Sequence, residues 1–593
     1  MTQKHLSYSA ILVLAANTMN GPGITTLPDV AVDAGILLYI VLIVISVRMA
    51  SFVCKRMVHA MWSSIKNEYY ERVDSVDIDV KSSLKEEEPE NCNAESSITV
   101  QLTELHTNQI QLEHREHYLH KNDPQSKLLS REDDSTLSLG DAEIKSLIDH
   151  EHKSEVSHLQ PVLERTSIVG QSLEGYGRST STMVALTMVA SALCLALAQM
   201  MLCAAIMDGL FVVVGGKSCA LGLPNTNEEG HTSFVYCTIH SSMKPYMNSG
   251  APVSIISIGW VIATAVSVFL GTKHLDEMMT VQYTFFGCLI VSCMRFTYVL
   301  SSMSANFDDL SSSSQSAKSD ATDLSWGIGP NPFLTVGPIM FNFAFIVTAP
   351  PLSALAKRQS IASDALGMSC VVMGALYAVI GWVGAPVSNA VRNGLIKGGD
   401  DTNLLSLILL SGADDGGVSA LDLICISAFG ISILASIPVY CLLAQQTLVH
   451  DAGVAKFPAF VFSNVVPWIL VALTYNAAFF EAFVNWSGLL ILGYANFSLP
   501  LLLDSRLQKV RSEKAVLDDI DLDGSLSKDR RSSSEDIHQS TKITNVFFSL
   551  VTASISSVIA ISLMPIPSLT VTALVFVVMI FATLLWPDAS LDF

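Results

Sequence analysis

Charge is scarce in this chain. Only 15% of its 593 residues are Asp, Glu, Lys or Arg, against about 25% in ordinary soluble domains. Half of the residues are hydrophobic and the mean hydropathy is +0.45, which excludes a soluble globular protein. A basic surface is missing as well: the net charge is −20, so no nucleic-acid partner is expected. The signatures His-Glu-x-x-His, Gly-x-x-x-x-Gly-Lys-Ser/Thr and Gly-x-Ser-x-Gly do not occur, so neither an enzyme nor a step driven by ATP on this chain is expected. Most of the 11 cysteines lie inside apolar runs, where Cys acts as a small hydrophobe. Cys219 and Cys237 share one polar loop and would pair if that loop faces an oxidising compartment.

What the chain has instead is apolar length. Stretches suited to crossing a bilayer lie at 6–28, 30–52, 182–207, 253–272, 278–301, 332–352, 365–387, 420–443, 457–478, 483–503, 546–564 and 569–586, about twelve spans of roughly 20 residues each. The fold class expected is an all-α polytopic membrane protein with the lipid bilayer as its solvent. The first stretch does not read as a removable signal peptide, because Gly21-Pro22-Gly23 interrupts it and a second span follows at once. Five segments follow from this division: spans one and two in 1–62, a polar insertion at 63–181, spans three to ten in 182–503, a linker at 504–542, and the last spans in 543–593.

Alternating the loops puts Arg48, Lys55, Arg56, Lys273, Lys357, Arg358, Lys456 and the cluster from Arg506 to Lys542 on one side. The other side takes Asp29, Asp33, Asp308, Asp309, Asp400, Asp401, Asp414 and Asp415, with fewer cations. The positive-inside rule then places the N-terminus in the cytosol, in the plasma membrane or a vacuolar or other endomembrane. In the insertion, acidic residues outnumber basic ones two to one, and runs such as Glu86-Glu87-Glu88-Pro89-Glu90 cannot bury themselves. It reads as a disordered, phosphorylatable cytosolic tether open to cytosolic regulators.

Two polar motifs read as solvated rather than functional. Asp519 to Gly524 copies the first half of an EF-hand loop, but Arg530 stands where the bidentate Glu belongs. His114, His117 and His120 would share a helix face, which reads as adventitious metal affinity in a disordered segment. Arg295 lies within the fifth span, so its side chain either snorkels or faces protein; Asp208, at the end of the third span, is a candidate partner.

The stretch from Ala16 to Pro28 holds two asparagines, two glycines and two prolines where the chain enters the membrane. It reads either as a helix broken mid-membrane or as a helix end capped by Asn and stopped by Gly-Pro. The sixth span carries Asn342 among aromatics, followed by Pro350-Pro351. Interrupted spans in corresponding positions point to a transporter binding site, which favours the broken helix.

Asn17, Gly21, Gly23 and Ile24, the ending Ile206-Met207-Asp208-Gly209, Phe343-Ala344-Phe345, Gly374 to Gly381, and Ser436-Ile437-Pro438 together resemble the amino acid/auxin permease family, including the sodium-coupled neutral amino acid transporters. The resemblance implies a leucine-transporter architecture: two inverted five-helix repeats, with helices one and six broken, working by alternating access. It implies an amino acid substrate beside Asn20, Gly21, Pro22 and Gly23, in a pocket lined by Phe341, Asn342 and Phe343. It implies an ion position at Asn17 with Ser432 or Ser436, with sodium or protons as coupling ion and no further cofactor. The chain departs from the pattern where Thr348-Ala349 replaces a His-Pro, and where Pro22 removes a backbone N–H. A membrane nutrient sensor signalling through the insertion is the alternative reading.

Overall fold

The computed structural model describes residues 6–86, 178–222, 235–238, 255–273, 278–313, 325–356, 358–394, 403–411, 418–450, 452–475 and, with gaps, 480–512. The expected spans at 546–564 and 569–586, the EF-hand-like segment and the three histidines lie outside the described residues.

Among the described residues seven helices are long and apolar enough to cross a membrane, and the chain is a predominantly helical membrane protein. The first span is two helices, α1 (Tyr8–Met19) and α2 (Gly23–Ala34), and the second begins α3 (Ile36–Glu86). Next come α4 (Arg178–Gly215), α5 (Ile258–Gly271) and α6 (Met279–Ser313). The sixth span contains α7 (Val336–Asn342) and α8 (Ala349–Ala354). They are followed by α9 (Gln359–Arg392), the short buried α10 (Leu404–Leu410) and α11 (Ala420–His450). The ninth span runs from α12 (Lys456–Phe460) through a π-turn at Val461–Val465 into α13 (Val466–Thr474).

Several boundaries differ from the sequence reading. The first span does not stop at 28: Pro28 sits inside α2, and the stop is Gly35, whose φ of +82° is a left-handed conformation suited to glycine. The backbone is helical to Glu86 and again from Arg178, so both ends of the segment read as disordered are helix. The chain divides into two units, Met1–Ser63 with Ser167–Phe593, and Ser64–Thr166; in the second, α3 runs to Glu86. The helical class also gains a small antiparallel sheet between spans three and four. Strands β1 (Ser218–Gly222), β2 (Val235–Thr238) and β3 (Ile255–Ser257) pair in the order β2-β1-β3. Cys219 faces Cys237 across β1 and β2, and the two form a disulfide.

Apolar residues gain little by meeting each other in lipid, so small residues and close packing hold such helices together. Within its most apolar stretch α4 is 94% buried, against 33% for the second and fifth spans; it is the central post of the bundle. Ala192, Ala196, Ala198, Ala204 and Ala205 let its neighbours approach. On α9, glycines do the same. A Cβ on Gly381 would lie 2.3 Å from the Tyr39 hydroxyl, and one on Gly384 would lie 2.7 Å from Pro28.

Candidate functional site

The first span opens because its sequence cannot continue the helical ladder. Asn20 leaves the helix at ψ 90°, and Pro22 has no N–H to offer the carbonyl four residues back. The carbonyls of Thr18, Met19 and Asn20 would therefore be orphans in the membrane. Each instead accepts a side-chain donor from a different helix: Tyr440 of α11 donates to Thr18 O (2.5 Å), Tyr377 of α9 to Met19 O (2.5 Å), and Gln199 of α4 to Asn20 O (3.3 Å).

The sixth span opens in a similar way. Residues Phe343 to Phe345 form a turn after α7, and a 3₁₀ turn at Ile346–Thr348 leads into α8. Pro350 and Pro351 remove two donors from the ladder. Asn496 of the tenth span accepts from the Val347 amide (3.0 Å) and donates to Ser191 of α4 (3.0 Å). Two π-turns, Gly488–Leu492 and Tyr494–Ser498, lie in that span. Gly488 meets the Gly337 carbonyl so closely that a Cβ there would lie 2.6 Å from it.

The two interruptions touch. A Cβ on Gly23 would lie 2.0 Å from Asn342 Oδ1, so only glycine fits at the start of α2. A Cβ on Gly21 would lie 3.7 Å from Gln199 and 4.0 Å from Phe341. Phe341, Phe343 and Phe345, next to Asn342 in the chain, are buried, and Phe343 packs edge-to-face on Tyr377 with centroids 5.5 Å apart.

The carboxamides at this place are oriented by their partners. Asn17 Nδ2 donates to both Gln282 O (2.9 Å) and Gln282 Oε1 (2.7 Å), two acceptors, which fixes its nitrogen towards α6. Gln282 Nε2 donates onward to Ala435 O of α11 (2.9 Å). Asn20 Nδ2 donates to Ser432 Oγ (2.8 Å), whose own proton goes to Phe429 O (2.7 Å). Ser436 donates to Gln199 Oε1 (2.6 Å). With the nitrogens used in this way, Asn17 Oδ1 and Asn20 Oδ1 are buried acceptors without a partner, and both side-chain polar atoms of Asn342 are unpartnered too. All three residues are at most 2% exposed.

The residues of the ion position implied by the resemblance hydrogen-bond as follows. Asn17 bonds Gln282, Asn20 bonds Ser432, and Ser436 bonds Gln199. Gln199 ties Asn20, and through it Ser432, to Ser436, while Gln282 ties Asn17 to Ala435 O; the sequence reading missed both glutamines and the hydroxyl donors Tyr377 and Tyr440. The available signal was a glutamine inside an apolar run, at 182–207 and again at 278–301.

Other charges are paired away from the breaks. Arg295 does not pair with Asp208: its Nε lies 2.7 Å from Asp422 Oδ1 at the start of α11, and its guanidinium stacks over Tyr298 at 5.3 Å. Asp208 is satisfied by Ser257, by the Gly259 amide (2.9 Å), by Ser218 (3.3 Å) and by Tyr475 (3.3 Å), which joins α4, the sheet, α5 and α13. Arg392 at the end of α9 bridges Asp33 (2.6 Å) and Asp29 (3.3 Å) on α2. Among the described residues no group of three or more His, Cys, Asp or Glu is placed to hold a metal.

No protein-family model matches the chain, and no curated protein matches it.

Proposed function

We propose that this chain is a secondary active transporter of amino acids, related to the amino acid/auxin permeases, that works by alternating access and is coupled to sodium or protons. One observation carries the reading: the buried, unpartnered carboxamide atoms of Asn17, Asn20 and Asn342 gather where two interrupted helices meet. Buried polar groups without partners cost about 1–3 kcal/mol each, and a ligand that supplies partners recovers that cost. Asn17 Oδ1 and Asn20 Oδ1 call for a donor-only group, an ammonium or a monovalent cation. Asn342 Nδ2 and the positive N-terminal end of α2 suit a carboxylate, and the neighbouring phenylalanines suit an apolar side chain.

The order of the interruptions supports the leucine-transporter architecture. They fall in the first and sixth spans, which open the two halves of a five-plus-five arrangement. An N-terminus in the cytosol is supported by the Lys and Arg bias, and by the disulfide between spans three and four, which belongs in an oxidising compartment. Ion pairs fall within the same loop sides: Asp29 and Asp33 pair with Arg392, which follows the seventh span, and Arg56 pairs with Asp504, which opens the linker at 504–542.

The test is uptake into proteoliposomes across an amino acid panel, with sodium and pH gradients imposed separately. Accumulation of at least one amino acid under one gradient is expected; none under either gradient refutes the proposal. Asn17→Ala and Gly21→Leu are expected to abolish uptake while surface labelling still finds the protein in the membrane. Undiminished uptake by both variants overturns the site assignment.

A further inference from the structure

Between spans five and six the chain forms a strap across the turn that joins α2 to α3. Four backbone bonds dock it: Ile36 N donates to Ser325 O (3.1 Å), Leu37 N to Trp326 O (3.0 Å), Gly329 N to Ala34 O (2.7 Å) and Asn331 N to Asp33 O (3.0 Å). The approach is so close that a Cβ on Gly35 would lie 2.5 Å from Gly327 O, and one on Gly329 would lie 2.4 Å from Asp33 O. The strap then passes through a 3₁₀ turn at Pro332–Thr335 straight into α7, and that turn packs on α2. One polar side of the strap is thus spent on residues 33–37, beside the Asp33–Arg392 ion pair.

The other side is apolar and open. Trp326 is 69% exposed, Ile328 72% and Phe333 68%. Trp326 adjoins Leu37, where the exposed apolar stripe Leu37, Val41, Val44 and Ile45 of the second span begins. That stripe runs along a helix long and apolar enough to cross a membrane, where an exposed apolar surface is suited to lipid. An amphipathic ring at the charged end of such a stripe has the placement of an interfacial aromatic anchor.

We infer that segment 325–333 is seated in the headgroup boundary of the bilayer, with Trp326, Ile328 and Phe333 in lipid, and that it yokes the half-helices α2 and α7 to that surface. The inference concerns lipid contact and stands whether or not the chain carries amino acids.

The test is fluorescence quenching of the full chain in phosphatidylcholine vesicles, comparing the unaltered protein with Trp326→Phe. The difference emission, which belongs to Trp326, is expected to be lost with lipids brominated near the headgroup and retained in aqueous iodide. Quenching by iodide without quenching by bromolipid overturns the inference. Shielding from both quenchers overturns it too, because a second copy of the chain then covers the strap. In Gly329→Val the docking bond to Ala34 is expected to fail and Trp326 to become open to iodide. A correctly inserted variant whose Trp326 keeps the unaltered quenching pattern refutes the yoke.

Discussion

Asn342 holds two unpartnered polar atoms against Gly23 in a position 2% exposed, an arrangement that stability alone would not keep. Leucine has nearly the same shape without the polar atoms. Asn342→Leu is therefore expected to raise the melting temperature in detergent, each removed orphan being worth about 1–3 kcal/mol, while uptake is lost. A lower melting temperature with intact uptake contradicts this account of the site. The break itself was legible in the sequence because Asn20, Pro22 and Gly23 are local punctuation: a residue that ends a helix, one without an N–H, and one where no Cβ fits. Gln199 and Gln282 were not, because their meaning depends on Asn20, Asn17 and Ala435, far away in the chain. Arg295 shows the same limit. Its partner Asp422 opens a helix beyond two further spans, whereas Asp208 already has four donors from the sheet and from helix ends.

At the scale of elements, seven of the stretches read from hydropathy are helices long and apolar enough to cross a membrane, and their ends were read poorly. The first span was cut short at Pro28, yet proline also sits inside α9 and α11, at Pro386 and Pro438. Membrane helices tolerate it where neighbours satisfy the freed carbonyl. The fourth span shortened for a different reason: Ile255–Ser257 pairs with β1 before α5 begins at Ile258, and a sheet edge that close to a helix has no hydropathy signature. Helix contacts on α9 were equally hidden, since glycines read as weak points in one chain and as meeting places in a bundle. Gly381→Ala would press a methyl into the buried Tyr39 ring and its bond to Tyr377 O (2.6 Å). Overpacking of this kind costs about 1–3 kcal/mol, so a lowered melting temperature is expected, and an unchanged one contradicts the packing described.

At the scale of the whole molecule, the pairing of Cys219 with Cys237 gives a direct check. Denatured protein labelled with a maleimide-polymer is expected to take two more labels after reduction than before it. Equal labelling contradicts the disulfide. A last consequence follows from the chemistry of the two interruptions. Asn17, Asn20, Gln199, Gln282, Ser432, Ser436, Tyr377 and Tyr440 surround the first with dipoles and no formal charge, and Asn496 holds the second in the same way. Moving one elementary charge across a membrane potential is worth about 2.3 kcal/mol per 100 mV. In the proposed cycle an unloaded carrier brings no charge of its own from these residues, so its return is electrically silent. Voltage jumps are expected to give no transient current without ligand, and a current only when the cargo or its coupling ion carries net charge.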